Sequence, residues 1–163
     1  MADGVIHQLN TSQGGVPKLP VPSATIDELG VVGDRQDEPE PMHGGPLKAL
    51  CLFSLEVIEK FAADGHPIAA GSAGENVTVR GLDWSQVVPG ARLRLGDQVQ
   101  IEITSYASPC KKQTRWFSDG NFARLNARVN PGNSRAYAKV LRGGTVQPGD
   151  PVRFEQPDPT GSQ

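Results

Sequence analysis

On either side of Gly96-Asp97 the chain alternates apolar and polar residues with a period of two. Leu93 and Leu95 alternate with Arg92, Arg94 and Gly96, and Val99, Ile101 and Ile103 alternate with Gln100, Glu102 and Thr104. Successive side chains of a strand point to opposite faces, so each run reads as a strand with one buried face. A tight turn with glycine first suits the twist of two paired strands. The spacing therefore predicts a β-hairpin, and it leads directly towards Cys110.

The same logic extends outward. Val5-Ile6-His7-Gln8-Leu9 reads as an opening strand and Asn10 to Gly15 as a loop. Val77 and Val79 alternate with Thr78 and Arg80, and Arg135 to Leu141 and Val152 to Phe154 read as closing strands. The apolar stretch Leu47 to Phe53 reads as a buried strand. Ser54 then opens a helix, because a serine at this position caps the free amides of the first turn. Leu55, Ile58, Phe61 and Ala62 share one face, Glu56 and Lys60 form an i,i+4 pair, and Gly65 stops the helix. A second helix is expected from about Asn121 to Val129, with Phe122, Leu125 and Val129 on one face and Asn130-Pro131-Gly132-Asn133 ending it. The segment 33–46 holds three prolines and several acids, which predicts an exposed loop.

The chain has 19 glycines and 14 prolines, which favours many short strands joined by turns. Strand and helix do not alternate regularly, which argues against a parallel doubly wound sheet. The expected architecture is mainly β, a closed barrel with two or three short flanking helices, since closure removes exposed strand edges. One domain is expected over residues 1–156, with a disordered tail at 157–163. With 163 residues the chain is long enough for a single core.

Sixteen basic and eighteen acidic residues give a net charge of −2. No basic footprint for nucleic acid follows from that balance. No apolar run approaches the roughly 18 residues of a membrane span, and no apolar stretch follows a basic start as in a secretory signal. Two cysteines make no disulfide framework, and a reducing cytoplasm is expected.

Three constellations could carry chemistry. Cys110 stands in Ser108-Pro109-Cys110-Lys111-Lys112, and cations at 111, 112 and 115 favour a thiolate, the form that attacks or ligates. Cys51, within Ala49-Leu50-Cys51-Leu52-Phe53, reads instead as a small core hydrophobe. His43-Gly44-Gly45 offers close backbone approach, free amides for an anion and a proton carrier; taken alone it reads first as a flexible turn with an exposed histidine. Gly74-Glu75-Asn76 could set an acceptor and an amide at a barrel rim. The three histidines, at 7, 43 and 66, have no zinc-like spacing, and neither a phosphate-binding Gly-rich Lys-Ser/Thr loop nor a Gly-x-Ser-x-Gly elbow occurs.

Taken in order, these pieces resemble the MOSC domain family, whose domain also ends the molybdenum-cofactor sulfurases. The matching segments are Gly33-Asp34, His43-Gly44-Gly45, Leu50-Cys51-Leu52-Phe53-Ser54, Gly71-x-x-Gly74-Glu75-Asn76-Val77-Thr78, Gly81-Leu82-Asp83, Gly90 to Gly96, Ser108-Pro109-Cys110-Lys111 and Arg135 to Leu141. The resemblance implies a β-barrel and a molybdenum–pterin cofactor whose metal is bound by Cys110, with His43 beside it in the chemistry. Gly44, Gly45, Glu75, Asn76, Lys112 and Arg115 are then the expected cofactor contacts. It implies an oxidoreductase of N-hydroxylated small molecules fed by a separate electron-donor protein, because the chain has too few cysteines for an iron–sulfur cluster. The alternative is a non-catalytic carrier that holds the cofactor, or persulfide sulfur, for a delivery partner. Pyridoxal phosphate belongs to a separate desulfurase domain and is not expected in this chain.

Overall fold

The apolar half of the alternating runs is buried throughout. Leu93, Leu95, Val99, Ile101 and Ile103 all face the core in the computed structural model, which describes residues 2–14, 16–34 and 45–156. The strands are β1 (Gly4–Thr11), β2 (Leu19–Val21), β3 (Ala24–Asp27), β4 (Gly30–Val31), β5 (Leu50–Ser54), β6 (Val77–Arg80), β7 (Arg92–Leu95), β8 (Val99–Tyr106), β9 (Ala136–Arg142), β10 (Gly144–Val146) and β11 (Pro151–Glu155). The predicted hairpin is β7–β8. Leu95 pairs with Val99, so the turn holds residues 96–98, one more than the dipeptide suggests. Gly96 takes the positive φ, 65°, that the turn requires.

Seven strands close into a barrel in the order β1-β6-β5-β9-β8-β7-β11, with β11 returning to β1. Strand β2 extends the sheet beyond β1, and β10, β3 and β4 form a separate three-stranded sheet. The interior is an aliphatic cluster that includes Ile6, Leu9, Leu50, Leu52, Val77, Val79, Leu93, Ile101 and Val152. The mainly β expectation holds. The one parallel pairing among the described strands is β5–β6, and helix α1 (Leu55–Ala63) makes the crossover between them.

Helix α1 begins as expected, with Ser54 Oγ accepting from Val57 N at 3.3 Å. Gly65, at φ 93°, ends it. Its buried face is Val57, Ile58 and Phe61, not the predicted set: Leu55 stands at the helix edge and Ala62 is exposed. The Glu56–Lys60 pair gives way to longer-range partners. Glu56 accepts from the amide of Gly81, and Lys60 donates to Asn133 at 2.7 Å. The predicted strand 47–53 starts later, because Pro46–Lys48 forms a 3-10 turn. The second helix shrinks to a 3-10 turn at Phe122–Leu125, leaving Val129 64% exposed. Asn121 and Asn126 explain the interruption, since their side chains accept from nearby amides at 123, 128 and 129. Such local bonds compete with helix propagation.

Between β8 and β9 lies an arm, residues 107–135, that carries Cys110. Its far part packs on α1 through a second apolar cluster, in which Phe117 and Leu125 meet Phe53, Val57, Ile58 and Phe61. Phe117 stacks edge-on with Phe61 at 5.4 Å.

Candidate functional site

Cys110 follows Pro109 in extended backbone (φ −129°, ψ 176°) and begins the 3-10 helix Lys111–Trp116. Its side chain is half-buried, whereas Cys51 is buried. The arm around Cys110 is held at several points. Ala107 N donates to Arg135 O at 2.9 Å and Gln113 N donates to Cys110 O at 2.9 Å. Gln113 Nε2 donates to Ala73 O at 3.0 Å. Arg135, at the foot of β9, donates from Nη1 to the same Ala73 carbonyl at 3.0 Å and from Nη2 to Ser108 O at 3.3 Å. Ala73 O is therefore a hub joining the arm, the loop before β6 and the start of β9.

Tyr137 on β9 is the register partner of Cys51 on β5. Burial pushes the Tyr137 hydroxyl up to about 12, Cys51 and Cys110 add to the rise, and Arg135 opposes it. Burial likewise pushes the Cys51 thiol up to about 11, against the charge of Arg135 and a hydrogen bond from it. Cys51 thus stays a protonated thiol at neutral pH, in agreement with its reading as a core residue. The two cysteines, Tyr137 and Arg135 converge where β8 runs out and β9 begins. Lys48 approaches from the 3-10 turn after Gly45, with Nζ 5.3 Å from the centre of the Tyr137 ring.

Beneath this surface lies a buried polar floor. Lys18 Nζ meets the Asp34 carboxylate at 2.7 Å, with both side chains almost fully buried. Asp34 also accepts from Asn76 Nδ2 at 2.8 Å and from Ser12 N at 2.9 Å. Asn76 Oδ1 in turn accepts from Cys51 N at 3.1 Å. A charge in such a pair is strongly destabilising when its partner is removed, so this floor is fixed. The exposed loop expected over 33–46 does not hold for Asp34, whose side chain is buried in this pairing, whereas Gly33 is exposed.

Glu75 is 0% exposed. Its Oε2 accepts from Gly71 N and Thr78 Oγ1, both at 2.8 Å, and its Oε1 has no partner among the described residues. Desolvation raises its pKa. Both Glu75 and Asn76 therefore sit under the site, holding backbone, rather than on its rim.

The remaining expected residues fall in different places. His43 and Gly44 lie outside the described residues. Gly45 has φ 81° and precedes the turn Pro46–Lys48. Lys112 is half-buried on the Cys110 arm. Arg115 is exposed, donates to Val16 O at 3.3 Å and lies 4.7 Å over the Trp116 ring. Sequence reasoning missed Lys18, Gln113 and Arg135 as site residues. Arg135 carried a signal, as a cation directly before the apolar run Ala136-Tyr137-Ala138 that opens β9. Lys18 sits in an irregular segment and Gln113 in the short 3-10 helix Lys111–Trp116, and neither carried one.

With this geometry in hand, the comparisons with known proteins are specific. The chain belongs to the MOSC domain family, whose sequence pattern matches residues 39–153. It is 32% identical over 139 residues to YflK of Bacillus subtilis, covering 83% of this chain and 60% of that protein. It is 26% identical over 135 residues to a protein of Gibberella moniliformis named as a reductase, covering 80% of this chain but 23% of that one. The chain thus spans less than two thirds of either relative. Among solved structures, YiiM from Escherichia coli superposes with a TM-score of 0.70 at 25% identity, covering 95% of this chain and 71% of YiiM.

Proposed function

We propose that this protein binds a molybdenum–pterin cofactor with Cys110 as the metal's thiolate ligand and reduces N-hydroxylated small molecules, using electrons from a separate donor protein. The observation that carries the reading is the contrast between the two thiols. Cys51 is buried and held protonated, while Cys110 is half-exposed on an arm tied to the barrel through Arg135 and Gln113. The residues present fit the group in chemistry: a soft sulfur donor suits the metal, and the cations Lys48 and Arg135 suit an anionic pterin.

When bound, the cofactor would supply two-electron transfer with exchange of an oxygen atom. The overall conversion takes R–NHOH with two electrons and two protons to R–NH2 and water. The chain's own residues hold the reacting groups in place. Ala107, Arg135 and Gln113 fix the backbone on both sides of Cys110, and the Lys18–Asp34–Asn76 floor fixes β5 and β6 behind it. Cys51 and Tyr137 keep their protons at neutral pH, so neither adds negative charge beside the anion. The reductase named among the relatives supports the reaction class.

Molybdenum content after expression in a host that makes the cofactor tests this reading. Wild type is expected to carry near-stoichiometric metal, and Cys110→Ser at least about tenfold less, with N-hydroxyl reductase activity lost in parallel. A wild-type protein without molybdenum, or a Cys110→Ser variant that retains it, overturns the assignment. Metal bound without turnover by any electron donor would identify a carrier instead.

A further inference from the structure

Arg135 carries a positive charge that the described protein does not balance. Its side chain belongs to a residue only 5% exposed, yet the groups it bonds are neutral: the carbonyls Ala73 O and Ser108 O and the protonated Cys51 thiol. Its Nε has no partner among the described residues. Glu75 is the acid whose charge it feels, but burial drives that carboxyl towards its neutral form and its Oε2 is committed to Gly71 and Thr78. A buried charge without a counter-charge is strongly unfavourable.

Lys18 shows how this fold treats a structural cation. It is equally buried, and Asp34 meets it at 2.7 Å. Arg135 has no carboxylate partner among the described residues. It grips Ser108, two residues before Cys110, and it acts on Cys51 and Tyr137. At low solvent exposure a charge acts strongly over several ångströms. Arg115, by contrast, is exposed and its charge is screened by water. The guanidinium is also held rigidly by its two carbonyl bonds, which suits a fixed electrostatic site.

We propose that Arg135 is the counter-charge of an anionic, oxo- or thiolate-bearing group bound at Cys110. It positions Cys110 through Ser108 and draws the anion to it, while gripping the loop before β6 through Ala73 O. The assignment rests on the cofactor reading above for the identity of the anion, but its test does not depend on turnover.

The test is thermal unfolding of the cofactor-free full chain, titrated with sodium molybdate and with sodium chloride at matched ionic strength. Wild type is expected to gain about 3 °C or more in Tm with molybdate and not with chloride, as mass action requires of a native-state ligand. Arg135→Gln should lose that gain, and Arg135→Lys, which keeps the charge, should retain at least part of it. A merely structural role would lower Tm equally with and without molybdate. In the cofactor-producing host, Arg135→Gln should retain at least about tenfold less molybdenum than wild type. The proposal falls if wild type shows no molybdate-specific gain, or if Arg135→Gln gains as much as wild type. Should Arg135→Gln fail to fold, a folded Arg135→Lys protein without the molybdate gain overturns it equally. Wild type that gains stability with molybdate but carries no molybdenum from the host sinks the cofactor reading and leaves Arg135 standing. Wild type that carries molybdenum, with an Arg135→Gln variant that carries as much and responds alike, does the reverse.

Discussion

A buried carboxyl with two donors on one oxygen and none on the other has a definite pH signature. Glu75 is that residue. Its folded-state pKa is raised by burial above the ordinary 4.5, so the native state holds the proton more tightly than the unfolded chain. By linkage, its contribution to stability is fully present below pH 4.5 and is lost as pH rises through the folded value. Glu75→Gln keeps an oxygen for Gly71 N and Thr78 Oγ1 and cannot ionise. Its urea midpoint is expected to match wild type near pH 4 and to exceed it increasingly towards pH 8. A difference between the two proteins that stays constant with pH would mean that Glu75 titrates normally in the fold. None of this was legible in Gly74-Glu75-Asn76, where a glutamate before a strand looks like a rim acceptor. Burial depends on Gly71 and Thr78 folding around it, and no local pattern records that. Cys51 was legible, because four apolar neighbours predict a core position whatever the tertiary contacts.

At the scale of elements, the loop before β6 matters more than its lack of regular structure suggests. Gly71 stands at φ 87°, and a Cβ there would lie 2.3 Å from Lys18 O and 3.2 Å from the Asn10 side chain. Its N–H bonds Glu75 and its carbonyl accepts from Lys18 N at 2.9 Å. Gly71→Ala combines a positive-φ penalty with a backbone clash, so a loss of roughly 2–4 kcal/mol is expected from equilibrium unfolding in urea. The displaced Lys18 segment would also disturb its Asp34 pair. A loss below about 1 kcal/mol would show that the strap of residues 16–18 shifts freely. Gly71 was visible as part of a spaced glycine pattern, but its partner was not, because Lys18 is 53 positions away in an irregular stretch. The helix at 55–63 was legible from its cap and its stop. Its inward face was misjudged by part of a turn, since the arm residues Phe117 and Leu125 decide which side is buried.

For the whole molecule, period-two alternation reached most of the barrel and failed where strands are too short to show a period. Strands β1, β6, β7, β8, β9 and β11 were foreseen in place, whereas the sheet of β10, β3 and β4 was not: β4 and β10 are two and three residues long, and the four residues of β3 alternate in burial but have only these short strands as partners. Closure was anticipated only as an architecture; which strands meet is a tertiary fact. The seam is β11, which pairs with β7 through four residues, Val152 to Glu155, and with β1 through Gly4 and Val5. Asp3 fastens it, its N–H donating to Val152 O at 2.9 Å and its carboxylate accepting from Phe154 N at 2.8 Å. Cutting the chain after Gln147 removes this seam and leaves β1 and β7 as open edges with the aliphatic interior exposed between them. Open, unpaired edges invite association, and apolar surface released to water removes the main drive for the fold. The truncated chain is expected to bind a hydrophobic dye, to self-associate, and to unfold in urea with a markedly smaller slope than the full chain. The Cys110 arm hangs from β8 and β9, two and three strands from β11 in the barrel order, so its own contacts would survive an opening confined to β1 and β7. Hydrogen exchange separates the cases. Loss of protection confined to β1, β7 and the turn at 96–98 would mean that the sheet stands without closure. Loss that spreads to residues 107–113 would mean that the site depends on the closed barrel.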